Sequence, residues 1–199
     1  MLKNLSVIVL AAGLSSRMGN ENKLLLPFQG KTILETTLSN ILLADIGKVI
    51  VVVGHDADIV KEVLKNYPLS IFENLAYEKG MTTSIQVGVS AKTDSNYMIC
   101  LSDMVLIQPE EYQLLAEHFW AYYQTDEKVI VQPIFNEKRG NPVIFSHFYK
   151  KNILETTDTE GCRSVVQAHK QHVKLVEMPT NHVLQDVDIQ ADYERILSL

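Results

Sequence analysis

Cysteine is nearly absent from this 199-residue chain, in which Cys100 and Cys162 are the only two. Two lone thiols make neither a disulfide framework nor a metal set, and they suit a reducing cytoplasm. Positive charge is also scarce: 18 Lys and Arg stand against 24 Asp and Glu, a formal net charge of -6. Binding to nucleic acid by counterion release needs a dense basic face, so the balance argues against a nucleic-acid partner and leaves room only for a local basic pocket. No apolar run approaches the ~20 residues of a membrane helix, so no membrane partner is expected. No Pro-, Gly- or Ser-rich linker divides the chain, and one domain over residues 1–199 is expected. Lys3 followed by "LSVIVLAAG" imitates a signal peptide, but the apolar run is short and passes into a charged loop, so a cytoplasmic protein is expected. Two phosphate-binding patterns are missing as well, GxGxxG and GxxxxGK[ST]. Their absence argues against an ordinary dinucleotide-dependent oxidoreductase and an ordinary P-loop.

What is present is a globular composition, 46% hydrophobic and 21% charged. "LSVIVL" (5–10), "KVIVVV" (48–53), "LSIF" (69–72), "YMICL" (97–101), "VIVQPI" (129–134) and "VKLVEM" (173–178) are short Val- and Ile-rich runs. Such runs read as strands buried on both faces. Between them, "TILETTLSNILLADI", "DADIVKEVLKNY" and "PEEYQLLAEHFWAYYQ" carry apolar stripes of helical period, and the aromatics of the last, Trp120 included, read as core. Alternating strands and helices imply an α/β fold, a three-layer sandwich with a mainly parallel sheet. Ligands of such sheets collect outside the carboxyl ends of the strands. Gly13 to Lys23 follows the first strand, His55, Asp56 and Asp58 the second, and Ser102 and Asp103 follow "YMICL".

The first of these loops, "LAAGLSSRMGNENK" (10–23), asks for an explanation. Ala11, Ala12 and Gly13 let a ligand approach backbone N–H groups closely, Ser15 and Ser16 add neutral donors, Arg17 offers a fork for phosphate oxygens and Lys23 a mobile charge. A polyphosphate fits that set; a solvated turn with incidental charges is the alternative. Asp103 likewise reads either as a magnesium ligand beside a phosphate loop or as a cap of the next loop.

With four further residues the loop becomes "LAAGLSSRMGNENKLLLP", which resembles the motif LAAGxSxRMGxxKxLLP of nucleotidyltransferases with a Rossmann-like domain. The likeness is strongest to the branch holding the molybdenum cofactor cytidylyltransferases and guanylyltransferases. "GMTTSIQVG" (80–88), "LSDM" (101–104), "RGNPVIF" (139–145) and "DVDIQADY" (186–193) are similar, in order, to that branch's GMxxSIxxG, acidic motif, RGxPVxF and DxDTPEDY. The resemblance implies that Leu10, Ala11, Ala12, Gly13, Ser15, Arg17 and Lys23 hold a nucleoside triphosphate, with Gly80 and Ser84 on the nucleoside side. Helix packing is the other reading of that pair. The resemblance also makes Arg17, Lys23 and Asp103 the catalytic set. It places magnesium on Asp103 and a tail carboxylate, Asp188 with Asp186 in reserve, where a tail Asp otherwise caps a helix. Lys138, Arg139, Asn141 and Arg163, the last matching the Arg of a GDxGxR motif, would face a phosphorylated acceptor; an exposed hairpin turn is the plain reading of "NEKRGNP".

Four departures lie away from the triphosphate loop and bear on the acceptor. Val105 replaces the proline of DMP, Thr159 stands at an acidic position beside Asp158, the Thr-Pro-Glu of the tail motif is lost, and Asn141 replaces a common His. The expected activity is transfer of CMP from CTP to molybdopterin, loaded or not with molybdenum, with pyrophosphate released and the product passed to a molybdenum-dependent enzyme. CTP is favoured because Ala12 stands where the guanylyltransferases have a second glycine, and its methyl would narrow the space for a base. A sugar phosphate, methylerythritol phosphate or phosphocholine is the alternative acceptor. A non-catalytic nucleotide- or cofactor-binding accessory of molybdenum enzyme maturation is the alternative class.

Overall fold

The computed structural model describes residues 4–18, 21–92 and 95–198, apart from the side chain of Ser16. In chain order the elements are β1 (Leu5–Ala11), β2 (Pro27–Phe28), β3 (Lys31–Thr32), α1 (Ile33–Ala44), β4 (Lys48–Val53), α2 (Ala57–Leu64), β5 (Ser70–Glu73) and α3 (Met81–Ser90). They continue with β6 (Asn96–Leu101), α4 (Pro109–Tyr123), β7 (Ile130–Phe135), β8 (Lys138–Arg139), β9 (Val143–Phe145), α5 (Lys150–Glu155), α6 (Arg163–Ala168), β10 (Val173–Glu177) and α7 (Gln190–Leu197).

The central sheet runs β10-β7-β9-β6-β1-β4-β5, with β8 paired to β7, and β2 and β3 form a separate small ribbon. β1 pairs in parallel with β4 and β6, β4 with β5, and β10 with β7. β9 is antiparallel to both β6 and β7, and β8 is antiparallel to β7, so the sheet is mixed and mostly parallel. All six strands expected from apolar runs are present within a residue or two. β2, β3, β8 and β9 are the additions; strands of two or three residues are too short to show a period of their own.

Strand alternation builds the two cores. Leu5, Val7, Val9 and Ala11 of β1 face a layer that includes Leu34 and Leu38 of α1, Val60 of α2 and Leu115 and Phe119 of α4. Ile8 faces the opposite layer, with Ile85 and Val89 of α3, Ile153 of α5 and Val165 of α6. Helices therefore cover both faces of the sheet, giving the expected three-layer Rossmann-like sandwich. α1 opens on a capping box, in which the Glu35 N–H donates to Thr32 Oγ1 at 3.2 Å and the Thr32 N–H to Glu35 Oε2 at 2.9 Å. Trp120 packs edge-on to Phe119 and Tyr123 against the core, as its helical stripe required. Among the described residues no helix is long and apolar enough to cross a membrane.

Candidate functional site

The parallel register brings the carboxyl ends of β1, β4 and β6 to one edge, and the loops that follow them are tied together there. Ser102 Oγ donates to the Leu10 carbonyl at 2.6 Å, and the His55 N–H donates to the Ala12 carbonyl at 3.3 Å. The opening loop folds back on itself through Ser15, which has φ +52° and whose Oγ accepts from the Lys23 N–H at 3.3 Å. Asn22 closes the turn: its Oδ1 accepts from the Leu24 N–H and its Nδ2 donates to Asp56 Oδ2, each at 3.1 Å. Gly13 at the loop's crest is exposed, and a Cβ there would meet nothing within 4 Å. That open space is what close ligand approach requires. The side chain of Ser16 lies outside the described residues.

Folding the loop back in this way carries Lys23 beneath it. Lys23 Nζ lies 2.6 Å from Asp103 Oδ2 and 2.8 Å from Asp188 Oδ1, while Arg17 Nη1 pairs with Asp188 Oδ2 at 2.5 Å. Asp103 is buried, and the loss of water pushes its carboxyl above the usual carboxylate range despite the opposing Lys23, with Asp186 adding repulsion. Its Oδ1 is enclosed and has no hydrogen-bond partner among the described residues. Burial alone would lower the Lys23 ammonium, but Asp103 and Asp188 outweigh it and hold it above the ordinary lysine value. The Lys23 hydrogen bond holds Asp188 below the carboxylate range, with Arg17 assisting. Asp188 is not the cap of α7: Asp192 Oδ2 takes the Asp188 and Ile189 N–H groups at 3.0 and 3.1 Å, which leaves the Asp188 carboxylate free to face the loop.

An enclosed carboxylate oxygen without a donor, beside a second carboxylate, suits a hard divalent cation. Among the described residues no three His, Cys, Asp or Glu side chains converge on one metal position, so an ion on Asp103 and Asp188 would complete its shell with phosphate oxygens and water. Magnesium bound together with substrate phosphates takes that arrangement.

Other candidates sit differently. The Ala12 methyl is buried and packs where Gly54 leaves room, since a Cβ on Gly54 would come within 2.9 Å of it. It faces packing and not an open base pocket, so the steric case for CTP is withdrawn. Gly80 has φ +109°, and a Cβ there would meet the Thr159 carbonyl at 2.5 Å, so it lets the 156–162 loop dock on α3. Thr82 completes the docking, donating to the Gly161 carbonyl and accepting from the Gly161 N–H, both at 3.0 Å. Ser84 is buried and accepts from Asn74 Nδ2 at 2.9 Å. Asp158 does not replace the acid missing at Thr159; it accepts the Glu160 and Ser164 N–H groups at 3.1 and 3.2 Å, and those bonds lower its pKa. Lys138 and Arg139 are exposed on β8 and form no ion pair among the described residues. Asn141 donates its N–H to the Val183 carbonyl at 3.0 Å, at the start of the segment that leads to Asp188. Arg163 is exposed and pairs with Glu160 at 3.3 Å, and among the described residues it forms no ion pair with the hairpin. Glu111 was not singled out by sequence, yet its buried carboxylate takes Thr180 Oγ1 at 2.6 Å and lies 2.8 Å from His182 Nδ1, anchoring the same tail segment to α4. In the sequence it is indistinguishable from any first-turn helix acid.

Residues 7–173 match the model of the MobA-like NTP transferase domain. Over 187 residues the chain is 25% identical to a molybdenum cofactor cytidylyltransferase of Escherichia coli K12, covering 94% of this chain and 92% of that one. Over 199 residues it is also 25% identical to a nicotine blue oxidoreductase of Paenarthrobacter nicotinovorans, covering 96% and 95%. A solved nucleotidyl transferase from Methanothermobacter thermautotroptrophicus shares the fold with a TM-score of 0.84 at 24% identity, covering 98% and 96%. A Mycobacterium tuberculosis H37Rv protein solved in complex with manganese shares it with a TM-score of 0.77 at 21% identity, covering 98% of each chain. Two relatives with different named chemistries cover nearly the whole chain at equal identity, so the substrate has to be argued from the site.

Proposed function

Because the chain belongs to the MobA-like NTP transferase family, and is thus a nucleotidyltransferase, we propose that it transfers CMP from CTP to molybdopterin, loaded or not with molybdenum, and releases pyrophosphate. One observation carries the chemistry: Lys23, whose N–H is tied to Ser15 Oγ of the opening loop at 3.3 Å, is held 2.6 and 2.8 Å from Asp103 and Asp188, and the space around Gly13 of the same loop is open. The acceptor phosphate attacks the α-phosphorus in line; the new P–O bond forms as the bond to pyrophosphate breaks. An ionised phosphate is its own nucleophile, so no base is needed. The loop backbone and Ser15 cradle the triphosphate, while Lys23 and Arg17 balance the charge that grows on the departing pyrophosphate. Magnesium held by Asp103 and Asp188 supplies further neutralisation of phosphate charge. The 2.5 Å pair of Arg17 with Asp188 keeps the guanidinium at the loop until phosphate arrives. Lys138, Arg139 and Asn141 face the acceptor, and a molybdenum-dependent enzyme in the cytoplasm takes the product. Preference for CTP rests on the likeness to cytidylyltransferases.

A panel of nucleoside triphosphates, each with molybdopterin and with sugar phosphates, tests the reading by pyrophosphate release. Release with CTP and molybdopterin is the expected result. Nucleotide binding without release for any acceptor would point instead to the accessory role, and turnover of nicotine blue would point to the redox activity that the second relative's name states.

A further inference from the structure

A cation already fills the gap between the two carboxylates. Lys23 Nζ is within 2.6 Å of Asp103 Oδ2 and 2.8 Å of Asp188 Oδ1. Magnesium bound by an oxygen of each would lie about 2.0–2.1 Å from both. An ion on Asp103 Oδ2 and Asp188 Oδ1, the two oxygens that Lys23 holds, would compete with the ammonium for both. Resting on the nucleotidyltransferase reading, we propose that Lys23 is a resident counter-ion that closes the metal position of the nucleotide-free protein, and that the triphosphate opens it by drawing the ammonium away.

Three features of the site support this. Lys23 satisfies one oxygen of Asp103, and the other, Oδ1, is enclosed without a partner among the described residues, so the lysine neutralises the carboxylate but does not complete it. Its backbone belongs to the opening loop, where the Lys23 N–H is bound by Ser15 Oγ at 3.3 Å, so one side chain reaches from a fixed base either to the carboxylates or to phosphate oxygens above. Asp188 keeps Arg17 on its second oxygen, so departure of Lys23 leaves that carboxylate still oriented. Metal and nucleotide consequently bind as a pair, and metal alone binds poorly. A position closed in about nine molecules of ten weakens apparent affinity about tenfold.

The test measures manganese binding without nucleotide, by the loss of the free-ion paramagnetic resonance signal on titration. Lys23→Met and Lys23→Gln, two neutral replacements in case one folds poorly, are expected to bind manganese at least tenfold more tightly than the parent. Lys23→Arg should resemble the parent. Arg17→Met removes an equal charge from Asp188 without emptying the gap and should gain less than threefold, and adding Asp103→Asn to Lys23→Met should abolish the gain. Neutral variants that bind no tighter than the parent would overturn the proposal. So would an equal gain in Arg17→Met, since that reports a general field and not an occupied position. Pyrophosphate release by the parent is scored separately; its absence would overturn the transferase reading whatever the manganese titrations show.

Discussion

The corner beneath the opening loop and the β7–β8 hairpin both carry cations offered to phosphate, yet they hold them in opposite ways. Lys23 is mostly enclosed and saturated with two carboxylates, and Arg17, though exposed, is fixed to one of them. Lys138 and Arg139 stand in solvent and form no ion pair among the described residues. A substrate reaching the corner meets charges already gathered there, with Lys23 having only to turn from carboxylate to phosphate, which favours stabilisation of the transition state over simple binding. A substrate reaching the hairpin has to order long, free side chains, which gives charge attraction with little geometry. The corner should therefore govern turnover and the hairpin acceptor affinity.

The largest break in that contrast is expected from Asp103→Asn, which keeps the shape and removes the charge. Turnover should fall by about a hundredfold to a thousandfold, as when a preorganised charge-stabilising group is lost. Stability should not follow. Burial raises the Asp103 pKa in the folded state, so the stability linked to this group is complete below the unfolded carboxylate pKa and is lost as pH rises through the folded value. Above the folded value the ionised carboxylate is thus a cost to folding, and there the amide variant should melt at the same temperature as the parent or higher. Calorimetry beside a pyrophosphate assay checks both halves; a variant that is active at limiting magnesium would return Asp103 to a loop cap. Asp188→Asn should lose less, about tenfold, because its carboxylate is half exposed and belongs to Arg17 as well.

Lys23 sharpens the contrast from the other partner. Its residue type alone implied a solvated side chain that could be removed without structural loss, but it is only 15% exposed and faces a buried carboxylate. Lys23→Ala should cost turnover about as much as Asp103→Asn and should also destabilise by about 1–3 kcal/mol, because a buried acceptor loses its donor. Adding Asp103→Asn should recover most of that stability and none of the activity. Arg17→Ala, exposed, should lower turnover with an unchanged melting temperature. A double-mutant cycle read by melting and by turnover separates these outcomes.

Much of the site was legible because its residues break local pattern. Arg17 and Lys23 are charges set among small residues right after a buried strand, and Asp103 ends another such strand. Their convergence follows from parallel pairing, since β1 pairs with both β4 and β6. What stayed hidden depends on contacts across the chain. Lys23 and Asp188 are 165 residues apart, and nothing local says that Asp192, not Asp188, caps α7. β9 joins the two halves of the sheet with three residues, too few for alternation to show. Gly80 and Ser84 look like a nucleoside edge by resemblance, yet their own contacts tie the 156–162 loop and Asn74. The same distinction orders the hairpin. Lys138→Ala with Arg139→Ala should raise the acceptor KM several-fold and leave kcat and melting almost unchanged, since exposed side chains outside any network shift stability by less than about 0.5 kcal/mol. Equal losses in kcat would show that the hairpin is preorganised after all.

The smallest effect tests how the loop treats the base. If Ala12 narrowed an open base pocket, Ala12→Gly would admit guanine and move the CTP-to-GTP ratio toward GTP. The methyl is instead buried at the Gly54 contact, so its loss should loosen the crossing of the β1 and β4 loops and weaken both nucleotides alike. The expected outcome is a ratio changed by less than twofold, with both affinities lower. In the parent, CTP should still compete better than GTP; a tenfold preference for GTP, about 1.4 kcal/mol, would reverse the assignment. A ratio that swings tenfold on Ala12→Gly would mean that the loop opens on binding and turns that methyl toward the base. Nucleotide choice would then be set at the corner by the same movement that frees Lys23.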